Sequence, residues 1–369
     1  MNILKNKKHL LGYSLAIALL ITGSKDNPIC AGNKPLTAPQ AQTNVSSNKN
    51  AVISRAAQIN PTTVEVYDTD GKHITIDFYA NNIFRLFRDD TNPVVRNPQA
   101  TPPADILVNN PRLPLTDFTL KDKGNNIIIT TRNVTLSIDK KDGRMNVINN
   151  LNGKNALEDL MVADINAQGT TVTMKAHTDE YFFGGGVQNG RFSHRGRSIA
   201  IENTNNWVDG GVASPTPFYW SNKGYGVLWH TFKPGRYDFA AAQPQQVKLH
   251  HQEAYLDMFV MVDETPVALL NDFYQLTGHP VLMPKFGFYE GHLNAYNRDY
   301  WKEDPKGNIL MPDGKTYKES QKDNGGIKES LNGEKGNYQF SARAAIDRYV
   351  KNDMPLGWFL PNDGYGAGY

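Results

Sequence analysis

Short apolar runs separated by polar turn residues dominate much of this chain. Residues 64–66 and 74–78 alternate apolar and polar side chains on either side of an Asp-Gly pair. A period of two puts one face of a strand in the core, so this stretch predicts a β-hairpin. The pattern returns in further segments, at residues 83–87, 127–130, 134–138, 172–174, 225–231 and 255–262. Many short strands with turn signals between them predict a β-sandwich, which we place at residues 58–279.

A helical period replaces the strand pattern at residue 265. Thr265 is a favoured N-cap, and Pro266 suits the first helical position. Gly278 suits the left-handed conformation that often ends a helix. The apolar residues between them follow at helical spacing: Val267, Leu269, Leu270, Phe273, Tyr274 and Leu276. We therefore predict a helix at the end of the sandwich domain.

Residues 280–369 predict a different architecture. The apolar residues 285–293 predict a buried strand, residues 341–352 a helix and residues 355–360 a second buried strand. Strand, crossover helix and parallel strand make a βαβ unit, so we predict the first units of a (β/α)8 barrel. The polar residues 296–338 are expected to form an ordered insertion, because bare loops of this length are uncommon. Too few residues follow for the barrel to close, and we expect the chain to be the front portion of a larger enzyme.

The N-terminus predicts export. The lysine-rich residues 5–8 precede the mostly apolar residues 10–21. A basic region before an apolar run too short to span a membrane is typical of a signal peptide, which we assign to residues 1–31; the alternative is a buried hydrophobic helix. Residues 32–57 are rich in Asn, Ser, Gln, Ala and Thr and predict a disordered spacer. We expect a protein that is secreted or held at the cell surface.

The single cysteine, Cys30, lies just beyond the apolar run. A lipoprotein signal would place a small residue directly before the cysteine and Leu three positions before it. Ile29 and Asn27 occupy those positions, so the sequence disfavours lipidation. Cleavage near Ser24 or after Ala31 fits the pattern, and the second would leave no cysteine. An exported chain without disulfides relies on a large core.

Charge and composition exclude several partners. The chain has 39 Lys and Arg against 37 Asp and Glu, a net charge of +2. Nucleic acids and anionic membranes are bound through basic excess, so we expect neither as a partner. No segment beyond the N-terminus is apolar for long enough to span a bilayer. His292 has no second His or Cys at ligand spacing, so we expect no metal site there; the oligomeric state stays open.

Two segments of the predicted sandwich have unusual composition. Residues 184–186 are consecutive glycines, which predict a bulge or tight bend rather than a phosphate loop, because the phosphate-loop spacing is missing. Residues 188–209 hold amides, guanidinium groups and an aromatic with few apolar neighbours. Amides and carboxylates hydrogen-bond hydroxyl groups, and an aromatic face packs on a sugar ring. Trp207 and Asp209 are therefore candidate carbohydrate-binding residues; the alternative is an ordinary polar surface loop.

The ends of the predicted barrel strands hold the other candidates. His292, Asn294 and Tyr296 follow the first strand, and Asn362 and Asp363 follow the second. Loops at the carboxyl ends of barrel strands carry the binding and catalytic residues. A carboxylate accepts hydrogen bonds from two adjacent hydroxyls, so Asp363 is the strongest single candidate for holding a sugar. The alternatives are hydrogen bonding within the barrel for the first strand and an N-cap for Asp363.

Four motifs, in order, resemble passages of glycoside hydrolase family 31. The family passages can be written YGxGE…RG, iPfy…GYG, YxxLTGxP…PPKW and DxDY. The matching segments of this chain are FGGGVQ at 183–188 with RG at 195–196, PFYW at 217–220 with GYG at 224–226, DFYQLTGHPVLMPKF at 272–286, and PNDGY at 361–365.

The resemblance implies a galactose-mutarotase-like sandwich followed by a (β/α)8 barrel, and retaining, exo-acting cleavage of α-glycosides without a cofactor. It implies that Asp363 binds hydroxyls of the terminal sugar and that the loop at residues 207–209 reaches over the pocket. The family's nucleophile and acid/base lie on later strands, so no catalytic residue is assigned here. The chain departs from the family at residues 291–296, GHLNAY in place of SRWGY, and at Gly364. At these positions the chain is more similar to an α-N-acetylgalactosaminidase-type branch of the family.

Two functions follow as expectations. The first is a secreted retaining exo-α-glycosidase that hydrolyses terminal α-linked sugars of glycans or oligosaccharides, present here without its catalytic aspartates. The second is a non-catalytic carbohydrate-binding surface protein built on the sandwich, which the polar residues 188–209 favour. A carbohydrate is the expected partner in both.

Overall fold

The computed structural model describes residues 53–95, 106–108, 112–292, 300–307, 309–320, 327–328, 338–340 and 342–360. These residues form two large antiparallel sheets, a short parallel strand pair and a small four-stranded sheet. The mostly β architecture agrees with the predicted sandwich.

The first large sheet runs from the N-terminal strands to the strand before the first helix. Its strands are β1 (Ile53–Asn60), β2 (Thr63–Asp68), β3 (His73–Ala80), β4 (Ile83–Arg88), β11 (Phe182–Gln188), β13 (Val212–Ser221), β14 (Tyr225–Trp229) and β17 (Leu256–Val262). Their order is β1-β2-β3-β4-β17-β14-β13-β11. Val64 lies opposite Ile76 in the predicted hairpin, which is confirmed. Met258 of β17 pairs with Leu86 on one side and Trp229 on the other, so β17 joins the two halves of the sheet.

The second large sheet is built from the middle of the chain. Its strands are β5 (Thr119–Lys123), β6 (Asn126–Thr130), β7 (Val134–Asp139), β8 (Met145–Asn149), β9 (Lys154–Asn166), β10 (Gly169–Lys175), β12 (Arg197–Ile201), β15 (Gly235–Phe239) and β16 (Gln246–His251). Their order is β12-β15-β16-β10-β9-β8-β7-β6-β5. β11 and β12 are consecutive in the chain but belong to different sheets, so the segment between them crosses from one sheet to the other.

The main hydrophobic core lies between the two sheets. In β7, Val134, Leu136 and Ile138 are fully buried and the residues between them are partly exposed. Ile76 and Phe78 of the first sheet belong to the same buried cluster. Two sheets that bury their alternating apolar faces against each other form a sandwich, and this burial is the main source of its stability.

A second core covers the outer face of the first sheet. The predicted helix is confirmed as α1 (Pro266–Thr277), and the Thr265 side chain accepts a hydrogen bond from the Ala268 amide. Leu269 and Leu276 of α1 belong to a buried cluster with Phe259 of β17. Every residue of β17 is therefore buried, on both faces of the sheet.

Two boundaries differ from the sequence expectation. Residues 53–57, expected in the spacer, belong to β1, where Ala57 lies opposite Glu65 of β2. Backbone hydrogen bonding to a sheet edge does not depend on polar side chains, so composition did not reveal this strand. Gly278 ends α1 with φ 87° and ψ 158°, which is not the left-handed helical conformation. Its amide donates to Tyr274 O, so the helix closes while the chain leaves in an extended direction.

The buried strand predicted at residues 285–293 is not present as such. The chain forms a 3₁₀ helix at Lys285–Phe288 and then the short strand β18 (Glu290–His292). Pro284 accepts a hydrogen bond from the Gly287 amide, which closes a turn inside the apolar run. Phe286 and Phe288 are exposed. Apolar composition alone does not separate a strand from a short helix.

The predicted strand–helix–parallel strand order is present in the last described residues. The helix α2 (Ala342–Lys351) leads to β23 (Leu356–Leu360), which pairs with β18 in parallel. Trp358 is 38% exposed, so β23 is less buried than predicted. None of the described helices has the length and apolar character that crossing a membrane requires.

The polar insertion between β18 and α2 is ordered where it is described. Its strands are β19 (Tyr300–Glu303), β20 (Ile309–Leu310), β21 (Thr316–Ser320) and β22 (Ile327–Lys328), in the order β20-β21-β19-β22. Met311, Tyr317 and Phe340 form its small core. Glu303 pairs with Lys315 and Asp304 with Lys318 near the surface of this insertion.

Candidate functional site

The three glycines of β11 bend the strand at the edge of the first sheet. Gly184, Gly185 and Gly186 all have positive φ, between 77° and 107°, and the register with β13 shifts between the first and the last. A side chain at Gly184 would lie 2.7 Å from Phe218 O, and one at Gly186 would strike Ser214 O. Only glycine combines this backbone with so close an approach. The predicted bulge is confirmed, and the polar segment begins directly after it.

Two polar residues of this segment hold it to the sandwich. His194 is buried, and its Nε2 lies 2.8 Å from Gly184 O. Because a carbonyl only accepts, Nε2 carries the proton; burial lowers the pKa of His194, and two nearby arginines contribute, so the ring is neutral at pH 7. The Arg195 guanidinium donates to Glu180 O at 2.9 Å and to His177 O. These residues, expected among the recognition groups, are structural.

Residues 203–211, which we name the tip loop, close on their own backbone. The Asn206 amide donates to Val212 O at 3.0 Å, and the Gly211 amide donates to Val208 O at 2.9 Å. The Asn189 side chain donates to Asn206 O at 2.9 Å. Side chains and backbone groups therefore fix the loop, and the side chains of Trp207, Val208 and Asp209 are exposed on it.

Trp207 and Asp209, predicted from sequence, lie together on the tip loop. Trp207 is 69% exposed, and its Nε1 donates to Asn205 Oδ1 at 2.7 Å. Asn205 has φ 48°, in the left-handed region that Asn tolerates better than most residues. The exposed Asp209 carboxylate fills the space beside Gly190, where a side chain would collide with it. The loop therefore presents an aromatic face and a carboxylate two positions apart.

An aromatic ledge next to this segment was missed from the sequence. Phe192 is 87% exposed, and its ring meets Phe183 edge-on at 5.5 Å between centroids. Phe183 stacks on Trp220 of β13 at 4.3 Å. An exposed ring is costly in water, so the three rings form a surface suited to an apolar or sugar face. The available signal was a lone Phe within a polar segment.

Of the candidates at the strand ends, only the backbone of His292 is described. It ends β18, directly beside Leu360, the last residue of β23. The carboxyl ends of the two parallel strands thus lie side by side, as a shared site requires. The other four candidates lie outside the described residues: Asn294, Tyr296, Asn362 and Asp363.

Buried charges of the sandwich serve the fold. Arg85 and Asp257 form two hydrogen bonds of 2.7 Å, and His230 Nδ1 lies 3.0 Å from the same carboxylate. Burial opposes ionisation, but the Arg85 guanidinium and the His230 contact hold the pKa of Asp257 below its ordinary value. All three are buried and out of reach of a substrate. Among the described residues, no group of three or more His, Cys, Asp or Glu is placed to hold a metal.

Comparison with known families identifies the sandwich. Residues 73–238 match the glycosyl hydrolase 31 N-terminal galactose mutarotase-like domain. The matched region includes the glycine bulge, the tip loop and most strands of both sheets.

Solved structures agree in fold. A family 31 dextranase of Flavobacterium johnsoniae in complex with glucose is 14% identical over 68% of this chain, with a TM-score of 0.59. An uncharacterized Listeria monocytogenes protein, crystallised with glucose, magnesium and calcium, is 15% identical over 84%, with a TM-score of 0.61. An α-1,4-glucan lyase of Gracilariopsis lemaneiformis is 13% identical over 86%, with a TM-score of 0.58. The chain spans 31%, 26% and 37% of these three proteins, respectively.

Proposed function

We propose that this chain, which belongs to glycoside hydrolase family 31 through its N-terminal galactose mutarotase-like domain, is part of a secreted retaining exo-α-glycosidase. The match of residues 73–238 carries the proposal. The substrate is a glycan or oligosaccharide with a terminal α-linked sugar, and the α-N-acetylgalactosaminidase-type branch is the specificity that residues 291–296 favour. Export rests on the signal-like pattern of residues 1–31.

The barrel residues of this chain hold the substrate in our proposal. Residues 280–369 begin the barrel, and the parallel pairing of β18 with β23 supports that assignment. Asp363, three positions after β23, accepts hydrogen bonds from two hydroxyls of the terminal sugar. Asn362 and the first-strand residues line the same pocket, namely His292, Asn294 and Tyr296.

The tip loop covers the pocket from the sandwich side in the same proposal. The exposed Trp207 face packs against the sugar ring, and Asp209 accepts from a hydroxyl. Retaining cleavage needs two carboxylates about 5–5.5 Å apart, one to attack and one to protonate the leaving oxygen. We assign both to later barrel strands of a longer protein, so the residues named here position the sugar and perform no bond-breaking step.

The test is a panel of aryl α-glycosides, including the α-glucoside, α-xyloside and α-N-acetylgalactosaminide, with the full-length protein. Asp363→Asn removes a charge-assisted hydrogen bond of about 1.5–3 kcal/mol and should lower kcat/KM about 10–150-fold. Asp353→Asn is the matched control, because Asp353 has φ 52°, which Asn tolerates, and it lies ten positions earlier. Equal activities of the two variants would refute the role of Asp363. The absence of hydrolysis with every glycoside of the panel would refute the proposed glycosidase activity.

Trp207→Ala separates binding from chemistry. Loss of contact with the sugar in both ground and transition states raises KM about tenfold and leaves kcat nearly unchanged. Phe232→Ala removes an equally exposed aromatic outside the tip loop and should leave both constants unchanged.

The alternative function is a non-catalytic carbohydrate-binding protein. The aromatic ledge and the exposed tip loop favour it, because both belong to the sandwich rather than to the barrel. Glycan-array binding by a protein that hydrolyses none of the aryl glycosides would select this alternative. Hydrolysis that depends on Asp363 would reject it.

A further inference from the structure

A polar groove lies on the outer face of the second sheet. It has a volume of about 610 Å³ and lies over β9, β10, β15 and β16. Val247 and Leu249 of β16 point into the core. Lys248 and His250 alternate with them along the strand, so their side chains point outward into the groove. Alternation along a strand places the groove on the solvent face.

Strand register aligns four lining side chains in one row. His250 lies opposite Arg236 of β15 and opposite Thr171 of β10, and Thr171 lies opposite Asp164 of β9. Side chains directly opposite on one sheet face are about 4.5–5.5 Å apart. Lys248 and Asp238 form the next row of the same groove. The strand register therefore fixes the positions of these polar groups relative to one another in the groove.

The groove keeps unused hydrogen-bonding capacity. The Arg236 guanidinium donates to Ser198 Oγ at 3.2 Å. In the described part of the chain, neither Arg236 nor Lys248 has a carboxylate within 4.0 Å. Asp238 uses Oδ1 to accept from two backbone amides of the following turn and leaves Oδ2 for a ligand. Both donors and acceptors therefore face the same space.

The His250 ring is held in one place. Its Nδ1 lies 3.1 Å from Thr171 Oγ1, and a side chain at Gly169 would come within 2.6 Å of the ring. Burial lowers the pKa of His250, and Lys248 adds to the effect, so the ring is neutral at pH 7. A neutral imidazole offers one donor and one acceptor.

The balance of charge selects the ligand class. Two cations, Arg236 and Lys248, face two carboxylates, Asp164 and Asp238, across the groove. A phosphate or an acidic sugar would meet repulsion from both carboxylates. A sugar hydroxyl donates and accepts at once and uses both signs of partner. We propose that the groove is a second saccharide site that binds a neutral oligosaccharide away from the barrel; the choice of a saccharide rests on the proposed function.

The test is titration calorimetry of the full chain with isomaltotriose and maltotriose, in the Trp207→Ala background so that the tip loop does not contribute. We expect weak saturable binding that Arg236→Gln and Lys248→Gln each reduce at least tenfold. Lys121→Gln, an exposed lysine of β5 in the same sheet outside the groove, is the matched control and should bind as the parent does.

Three outcomes would overturn the proposal. These are no saturable binding of either trisaccharide, binding that both groove variants leave unchanged, and tighter binding of glucose 6-phosphate or inorganic phosphate than of the trisaccharides. Failure here is distinct from failure of the proposed function. The groove variants should leave aryl-glycoside hydrolysis intact, whereas Asp363→Asn should lower hydrolysis and leave groove binding intact.

Discussion

Asp272 on α1 makes the docking of this helix sensitive to pH. The side chain is 4% exposed, and Asn82 Nδ2 donates to its Oδ2 at 2.9 Å. Burial raises the pKa of Asp272 to about 7; the Asn82 hydrogen bond opposes this rise, and the nearby Asp263 carboxylate adds to it. We predict that Asp272→Asn stabilises the sandwich at neutral and alkaline pH, since Asn is uncharged and its carbonyl oxygen can accept the same hydrogen bond.

The magnitude follows from proton linkage. Between pH 3.8 and about 7 the folded chain keeps the Asp272 proton while the unfolded chain has lost it. The free energy of unfolding therefore falls as pH rises through this window and is constant above it. At about 1.4 kcal/mol for each pH unit, the loss is at most about 4 kcal/mol by pH 8. The Asp272→Asn variant has no carboxyl group to ionise at this position. Its gain in the free energy of unfolding over the parent should therefore be near zero at pH 4 and largest at pH 8.

Urea unfolding at pH 4, 5, 6, 7 and 8, followed by tryptophan fluorescence, measures the difference. Amide exchange at Leu276 reports the docking of α1 itself, because this residue belongs to the cluster under the helix. Glu264→Gln is the control, since it removes one exposed carboxylate just before the helix and leaves the buried Asp272 contact in place. Parallel unfolding curves for parent and Asp272→Asn across this range would refute the reasoning, because they would mean that Asp272 ionises near pH 4 as a surface group does.

Three further substitutions test the packing of the sandwich by urea unfolding. Asp257→Asn leaves the Arg85 charge buried without its partner and should cost about 3–5 kcal/mol; a loss below about 1 kcal/mol would mean that water reaches the pair. Thr265→Ala removes the N-cap of α1 and should cost about 1 kcal/mol, seen first in α1 amide exchange; an unchanged exchange rate would contradict the cap. Gly186→Ala places a side chain against backbone at positive φ and should lower the free energy of unfolding more than Gly71→Ala, where φ is positive but the space is open. Equal losses of stability would show that the positive φ, and not the close contact, determines the cost.

The sequence predicted an element correctly where a single local pattern determines that element. Alternation over residues 64–78 predicted the β2–β3 hairpin, because a period of two with a turn signal between the arms is a local pattern. Thr265 and Pro266 predicted the start of α1, since N-cap chemistry is local. The glycine run at residues 184–186 predicted a bulge because no other residue occupies positive φ there so easily.

The sequence failed where tertiary contacts decide. Residues 53–57 of β1 were assigned to the spacer because this stretch has few bulky apolar side chains, although its backbone pairs with β2. The aromatic residues at 285–288 looked buried but form a turn, since Pro284 and Gly287 close it. His194 looked like a recognition residue, and only the fold reveals that it is buried against the glycine bulge. The polar groove over β9, β10, β15 and β16 was invisible for the same reason: each of its residues is an ordinary outward position until four strands are aligned.

The glycine bulge also affects how the folded protein behaves among its own copies. β11 is an edge strand, and an edge offers unpaired amides and carbonyls to any other extended chain. Three successive positive φ angles disturb the regular orientation of those amides and carbonyls. The β11 strand of a second copy therefore cannot form a regular hydrogen-bond ladder with this edge. The same glycines that precede the tip loop therefore also disfavour polymerisation of the sandwich through this edge.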